Sequence, residues 1–125
     1  MMELAMLDKV KTLEPLNPNR ATALFGGKSS GILNWNDIPY PHWYKIYKRL
    51  LGNFWQSDEV NMASDVKQFP TLTEKEQEAY LKIISLLATL DSSQTRAILL
   101  TSLYASDPAV QSILAIIAQQ EAVHN

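Results

Sequence analysis

The chain has 125 residues, of which 46% are hydrophobic, and its 13 acidic and 11 basic side chains leave a formal net charge of −2. This composition fits one compact domain or a part of a larger one, and no basic stripe indicates binding to nucleic acid. The absence of cysteine excludes a disulfide framework and a thiolate metal site. We find no signal peptide and no apolar run long enough to span a membrane, so we expect a cytoplasmic protein.

Residues 1–33 show little regular patterning and include the Gly/Ser-rich stretch FGGKSSG at 25–31. Such a composition is typical of an extended arm. The letters GGKS resemble part of a phosphate-binding loop, but Thr22 occupies the position where that motif needs its first glycine, and no strand precedes it. We therefore expect an extended N-terminal arm over 1–33, followed by a folded domain over 34–125.

Three helices are predicted in that domain. Apolar residues recur at spacings of three and four in HWYKIYKRLLGNFW, 42–55, and Gly52 and Asn53 are expected to end that helix. The sequence TEKE at 73–76 is a capping box, which predicts the start of a long helix running to about Ala105. Asp107 and Pro108 then have the residue types of an N-cap and a first helical position, and that helix continues to the chain end. Because no strand pattern is present, the predicted fold class is all-α.

The apolar stripe of the last helix leads into two polar side chains. Val110, Leu114 and Ile117 follow one another at steps of four and three, and the same steps continue to Glu121 and His124. A Glu-x-x-His pair at helical spacing is compatible with a metal site. For these two residues alone, a solvated surface pair is the favoured interpretation, because such spacing also occurs by chance.

The long helix has a similar feature. Tyr80, Ile84 and Leu87 lead to Asp91, which follows a buried-looking apolar run. A buried carboxylate without a partner costs several kcal/mol, so it is either hydrogen-bonded or bound to a cation. Asp91 alone is also explained by a solvated or hydrogen-bonded acid. The short turn makes the two helices antiparallel, however, and three potential ligands then lie on their inward stripes.

Two carboxylates and one imidazole are ligands of the type that iron or manganese prefers, and they differ from the ligands of structural zinc. Ferritin-like bundles use a carboxylate from each of two helices and a Glu-x-x-His pair from each of the other two. This chain supplies one of each. We therefore predict the N-terminal part of a ferritin-like di-metal helical bundle.

Five segments carry a more specific resemblance in their order along the chain: GILNWND (31–37), NFWQSDEV (53–60), FPTLTEKEQEAY (69–80), LLATLDSSQ (86–94) and QQEAVHN (119–125). Together they resemble the N-terminal portion of the small (β, radical-generating) subunit of class I ribonucleotide reductase. The first segment is similar to the class Ib branch. The spacings from Trp55 to Asp91 and from Asp91 to Glu121 are also close to those of that family.

The resemblance implies roles for four residues. Asp91 and His124 would bind the first metal ion of a dinuclear iron or manganese site, and Glu121 would bridge both ions. Trp55 would lie on the electron and radical route to the catalytic α subunit, although a plain core tryptophan is the alternative. The sequence does not distinguish iron from manganese. The resemblance further implies ribonucleoside-diphosphate reductase activity and a β homodimer-type assembly.

The chain departs from the family pattern in two places. Residues 56–58 read Gln-Ser-Asp where a proline is usual, and the family's tyrosine one helical turn after His124 would fall beyond Asn125. Three further metal ligands are likewise absent. We expect a complementary C-terminal β-subunit chain to supply them, as in a split subunit, with a truncated fragment as the alternative. Two other functions stay open: a different ferritin-like di-metal oxidase or metal store, and a metal-free helical interaction fragment.

Overall fold

The computed structural model describes residues 20–124, so positions 1–19 of the predicted arm and Asn125 lie outside the described residues. Four α-helices and two short 3-10 turns occur in this range: α1 His42–Gly52, a turn at Ser57–Glu59, α2 Ala63–Gln68, a turn at Phe69–Thr71, α3 Glu74–Ser102 and α4 Pro108–His124. Residues 20–124 contain no strand beyond one isolated bridge, which confirms the all-α prediction. None of the helices in this range is long and apolar enough to cross a membrane.

Helix α1 ends at Gly52 with Asn53 as its C-cap, at the two residues that the sequence predicts as its end. The backbone N–H of Asn53 donates to the carbonyl of Arg49 at 3.0 Å and closes the last turn. Beyond this point the chain leaves the helix and runs toward Trp55 in a non-helical conformation. The short helix therefore places Trp55 on a connecting segment rather than on a helical face.

Helix α3 begins at the capping box that the sequence predicts. The Thr73 hydroxyl accepts a hydrogen bond from the Glu76 N–H at 3.4 Å, and the Glu76 carboxylate accepts one from the Thr73 N–H at 2.8 Å. The Thr73 hydroxyl also donates to the same carboxylate at 2.7 Å. Hydrogen bonds from the side chain and then the backbone of Thr73 stabilise the ionised carboxylate, so the pKa of Glu76 lies below its ordinary value.

Helix α3 stops at Ser102 rather than at the predicted Ala105. The next three N–H groups donate to carbonyls three residues earlier; for example, that of Ala105 donates to Ser102 at 3.2 Å. Such bonds tighten the chain into turns and end the α-helix. Because α3 ends three residues earlier than predicted, the chain can reverse its direction before Asp107.

Helix α4 starts as predicted, with Asp107 as its N-cap and Pro108 as its first residue. The Asp107 Oδ1 atom accepts from the N–H of Ala109 at 2.8 Å and from that of Val110 at 3.4 Å. Asp107 is only 1% exposed, and the two residues that donate to it are also buried. The cap is therefore protected from water on all sides.

Residues 24–27 of the predicted arm pack against the turn between α3 and α4. The carbonyl of Leu24 accepts from the N–H of Ser106 at 2.8 Å, and the N–H of Gly26 donates to the carbonyl of Tyr104 at 3.4 Å. The Ser106 hydroxyl accepts from the Gly27 N–H at 3.0 Å and donates to the Gly27 carbonyl at 3.2 Å. These bonds surround an isolated antiparallel bridge between Phe25 and Ala105.

Burial is concentrated at this turn and along α4 as far as Ala118. The buried hydrophobic residues are Ala105, Ala109, Val110, Ile113 and Ala118. No residue of α3 is buried, and Tyr80, Ile84 and Leu87, whose stripe was expected to face inward, are 44%, 45% and 49% exposed. Only α4 makes extensive contact with α3 in residues 20–124, and a 17-residue helix cannot cover the apolar faces of a 29-residue one.

Candidate metal centre

The rings of Trp55 and His124 stack on one another. Their centroids are 4.1 Å apart and the ring planes differ by 9°. Trp55 comes from the segment after α1 and is 39% exposed, whereas His124 is the last described residue of α4 and is half-buried. Two of the four predicted site residues, distant in sequence, are thus in direct contact.

A second contact connects the same two parts of the chain. The side-chain N–H of Gln120 donates to the backbone carbonyl of Leu50 at 2.8 Å. Gln120 lies one turn before His124, so both side chains project from the same side of α4. This bond fastens the end of α4 to the end of α1 and thereby supports the position of His124 beside Trp55.

The side chain of Glu121 contacts Gln94 on α3. With the amide oriented so that its nitrogen faces the carboxylate, Gln94 donates to the two carboxylate oxygens of Glu121 at 3.1 and 3.2 Å. Gln94 is not one of the site residues predicted from the sequence. It stands one helical turn after Asp91 in the segment LLATLDSSQ, and that spacing was the available signal for a polar partner on the same face of α3.

Asp91 is half-buried on α3, and its backbone carbonyl accepts a hydrogen bond from the Thr95 hydroxyl at 2.9 Å. Within residues 20–124, no three acidic, histidine or cysteine side chains are close enough together to hold a metal ion. The structure therefore brings Glu121 to Gln94 and His124 to Trp55. It does not assemble Asp91, Glu121 and His124 into one ligand group.

The chemistry of these side chains still fits half of an iron or manganese site. The Nε2 atom of His124 is buried and has no hydrogen-bond partner in residues 20–124. A buried polar atom without a partner is costly, so this imidazole requires a ligand or an acceptor from elsewhere. Two carboxylates and one imidazole are also the donor types that both metals accept.

Comparison with known proteins identifies the fold and the family. Residues 32–125 match the family model for the ribonucleotide reductase small chain. Over 119 residues the chain is 45% identical to the ribonucleoside-diphosphate reductase subunit beta of Halalkalibacterium halodurans, covering 95% of this chain and 34% of that protein. It is 37% identical over 102 residues to the corresponding subunit of Treponema pallidum, covering 82% of this chain and 29% of that one.

Among solved structures, the ribonucleotide reductase R2 subunit from Clostridium botulinum superimposes with a TM-score of 0.85 at 34% identity. The match covers 93% of this chain and 37% of that one. The helices α1 to α4 are thus a portion of a ferritin-like helical fold, as predicted. The chain belongs to the ribonucleotide reductase small-chain family, which confirms the resemblance seen in its sequence. It spans about a third of the length of the curated relatives it matches.

Proposed function

We propose that this chain is the N-terminal part of a ribonucleotide reductase small subunit and that it supplies half of a dinuclear iron or manganese site. Asp91 and His124 would hold one metal ion, and Glu121 would bridge both. The observation that carries the proposal is the stack of Trp55 on His124 at 4.1 Å. It joins a candidate ligand to an aromatic ring that reaches the surface.

Each residue has a separate task in this proposal. The imidazole of His124 and the carboxylates of Asp91 and Glu121 bind and neutralise the cations. When bound, the metal pair supplies one-electron oxidation chemistry that protein side chains lack. Trp55 lies flat against the imidazole and is 39% exposed, so it offers a short aromatic path for an electron between the ligand end of α4 and the protein surface.

The proposal also implies partners. A complementary C-terminal β-subunit chain would provide the three further ligands, and the completed subunit would form a β homodimer-type assembly. A catalytic α subunit would receive the radical through Trp55 and reduce ribonucleoside diphosphates in the cytoplasm. Within this chain, residues 1–33 would form the arm and 34–125 the first half of the ferritin-like domain. The contacts of Leu24, Gly26 and Gly27 with the α3–α4 turn support a structural task for that arm.

Metal content tests the proposal directly. The chain is produced together with a polypeptide that supplies the remaining part of the family's length, and bound iron and manganese are measured by elemental analysis. We expect bound metal in the wild type and a strong loss in Glu121→Gln and His124→Ala. Glu78→Gln, which changes an exposed carboxylate in the ion pair with Lys82, serves as the control. A wild-type complex that binds neither metal would contradict the proposal.

The role of Trp55 needs its own measurement. Electron paramagnetic resonance follows radical formation and its transfer to the α subunit. We expect Trp55→Phe to bind metal normally but to slow radical transfer. Trp35→Phe is the matched control, because Trp35 packs against Tyr44 and Tyr47 instead. Unchanged transfer in Trp55→Phe would refute the proposed route, and a metal-loaded complex that passes no radical to an α subunit would favour an oxidase or a metal store.

A further inference from the structure

The contact between Gln94 and Glu121 points to a residue outside the proposed ligand set. We propose that Gln94 is a positioning residue that holds the carboxylate of Glu121 in the orientation needed to bridge two metal ions. The inference rests on the proposed function, because a bridging role for Glu121 presupposes the dinuclear site. The contact itself exists without metal and can be examined separately.

The geometry of the contact is nearly symmetric. With the Gln94 amide oriented so that its nitrogen faces Glu121, that nitrogen lies 3.1 Å from one carboxylate oxygen and 3.2 Å from the other. An ionised carboxylate has about four acceptor positions, two on each oxygen. A donor shared between the two oxygens leaves each of them with a free acceptor position. Both oxygens therefore remain able to bind a cation, which is the requirement for a bridging ligand.

The chemical type of the donor also matters. A lysine or arginine at position 94 would place a positive charge beside Glu121 and would compete with a metal ion for it. The neutral amide of Gln94 restrains the carboxylate through hydrogen bonds and leaves its negative charge available. Partners of this kind orient metal ligands in proteins, and replacing them typically weakens metal binding by about 10-fold to 100-fold.

Gln94 also connects the two helices that carry the proposed ligands. It belongs to α3, one turn after Asp91, and it contacts Glu121 of α4. The position of Glu121 is consequently tied to the helix of Asp91 rather than set by α4 alone. Three hydroxyl groups near Asp91 form hydrogen bonds within α3. Those of Thr89, Ser93 and Thr95 each donate to the backbone carbonyl four residues earlier. Their hydroxyl groups are thereby occupied, whereas the Gln94 amide reaches across to α4.

The first part of the test examines the contact in the metal-free chain. The side-chain amide signals of Gln94 are assigned by nuclear magnetic resonance and compared between the wild type and Glu121→Gln. We expect these signals to shift when the carboxylate is replaced. Gln119→Met, a change at an exposed position of α4, should leave them in place. Gln94 signals that are the same in Glu121→Gln as in the wild type would overturn the inference, whatever the metal measurements show.

The second part measures manganese binding to the chain combined with its complementary polypeptide. Mn²⁺ titrations followed by electron paramagnetic resonance give both an affinity and a spectrum for the bound ions. We expect Gln94→Met to weaken binding about tenfold or more and to change the spectrum of the metal pair. Gln94 is exposed in residues 20–124, so this change opens no core cavity and the variant is expected to fold.

The outcomes separate the two proposals. If the wild-type complex binds no manganese or iron, the proposed function fails, and the inference that depends on it fails too. If the wild type binds manganese and Gln94→Met has the same affinity and spectrum as the wild type and Gln119→Met, the positioning role is overturned while the proposed function stands. A purely structural role predicts lower folding stability in Gln94→Met with an unchanged spectrum, which also overturns it.

Discussion

Replacing Asp107 tests how α4 is started. In Asp107→Ala, the N–H groups of Ala109 and Val110 lose their acceptor, and both residues are buried, so water cannot replace it. Loss of an N-cap costs about 0.5–2 kcal/mol, and buried donors without a partner favour the upper end of that range. We therefore expect the free energy of unfolding to fall by about 2 kcal/mol in this variant.

Asp107→Asn separates the acceptor oxygen from the negative charge. Only Oδ1 of Asp107 is hydrogen-bonded; the buried Oδ2 has no partner in residues 20–124, so an amide nitrogen in its place loses no bond. The charge is favourable at the N-terminus of a helix by about 0.3–1 kcal/mol, but its burial opposes this gain. We therefore expect Asp107→Asn to lie within about 0.5 kcal/mol of the wild type.

Urea unfolding followed by far-UV circular dichroism measures both variants under the same conditions. The expected order of stability is wild type, then asparagine close behind, and alanine clearly below. If asparagine were as destabilising as alanine, the charge rather than the hydrogen bonds would stabilise the start of α4. If alanine were equal to the wild type, the cap would contribute nothing and the reasoning would be refuted.

Three further changes probe other contacts. In Gly27→Ala the new Cβ would meet the Thr22 Oγ1 atom at 2.5 Å, so we expect a loss of about 1–3 kcal/mol and faster proteolysis of the arm. Gly52→Ala, with open space around it, should not accelerate arm cleavage. Gln120→Leu removes the bond to the Leu50 carbonyl and should cost about 1 kcal/mol in chemical unfolding, whereas an equal loss in Gln119→Leu would contradict this explanation. Because the pKa of Glu76 is lowered on folding, its stabilising contribution is present above pH 4.5 and is lost as the pH falls through the folded value. Glu76→Gln should therefore flatten the decline of stability at acidic pH, and an unchanged decline would refute the link.

Features that depend on neighbouring residues were predictable from the sequence. The capping box at Thr73 and the Asp107 cap were located correctly, because a hydroxyl or carboxylate satisfies N–H groups only two or three residues away. The end of α3 was placed three residues too late. That end depends on the reversal of the chain and on the hydrogen bonds it makes with the arm, such as the one from Ser106 to Leu24.

The pairing of side chains across the fold was less predictable. The sequence indicated Trp55 and His124 as site residues, but their stacking depends on where the segment after α1 lies relative to the end of α4. The contact of Gln94 with Glu121 was missed, because a glutamine on a helix has no periodic signal that distinguishes it from a solvated residue. Whether Asp91, Glu121 and His124 act together stays a prediction, since residues 20–124 do not bring them into one ligand group.

The distribution of burial in the helix pair has a consequence for metal binding. The turn, Asp107 and the first half of α4 are buried and are also fastened by the arm, whereas Glu121 and His124 at the opposite end are half-buried. The turn end is therefore more fully buried than the end that carries Glu121 and His124. Gln94, Gln120 and Trp55 are the residues that hold that end by direct contact. A cation or a complementary chain that binds there would add its binding free energy to a less buried part of the helix pair, so metal binding and order at the ligand end should rise together.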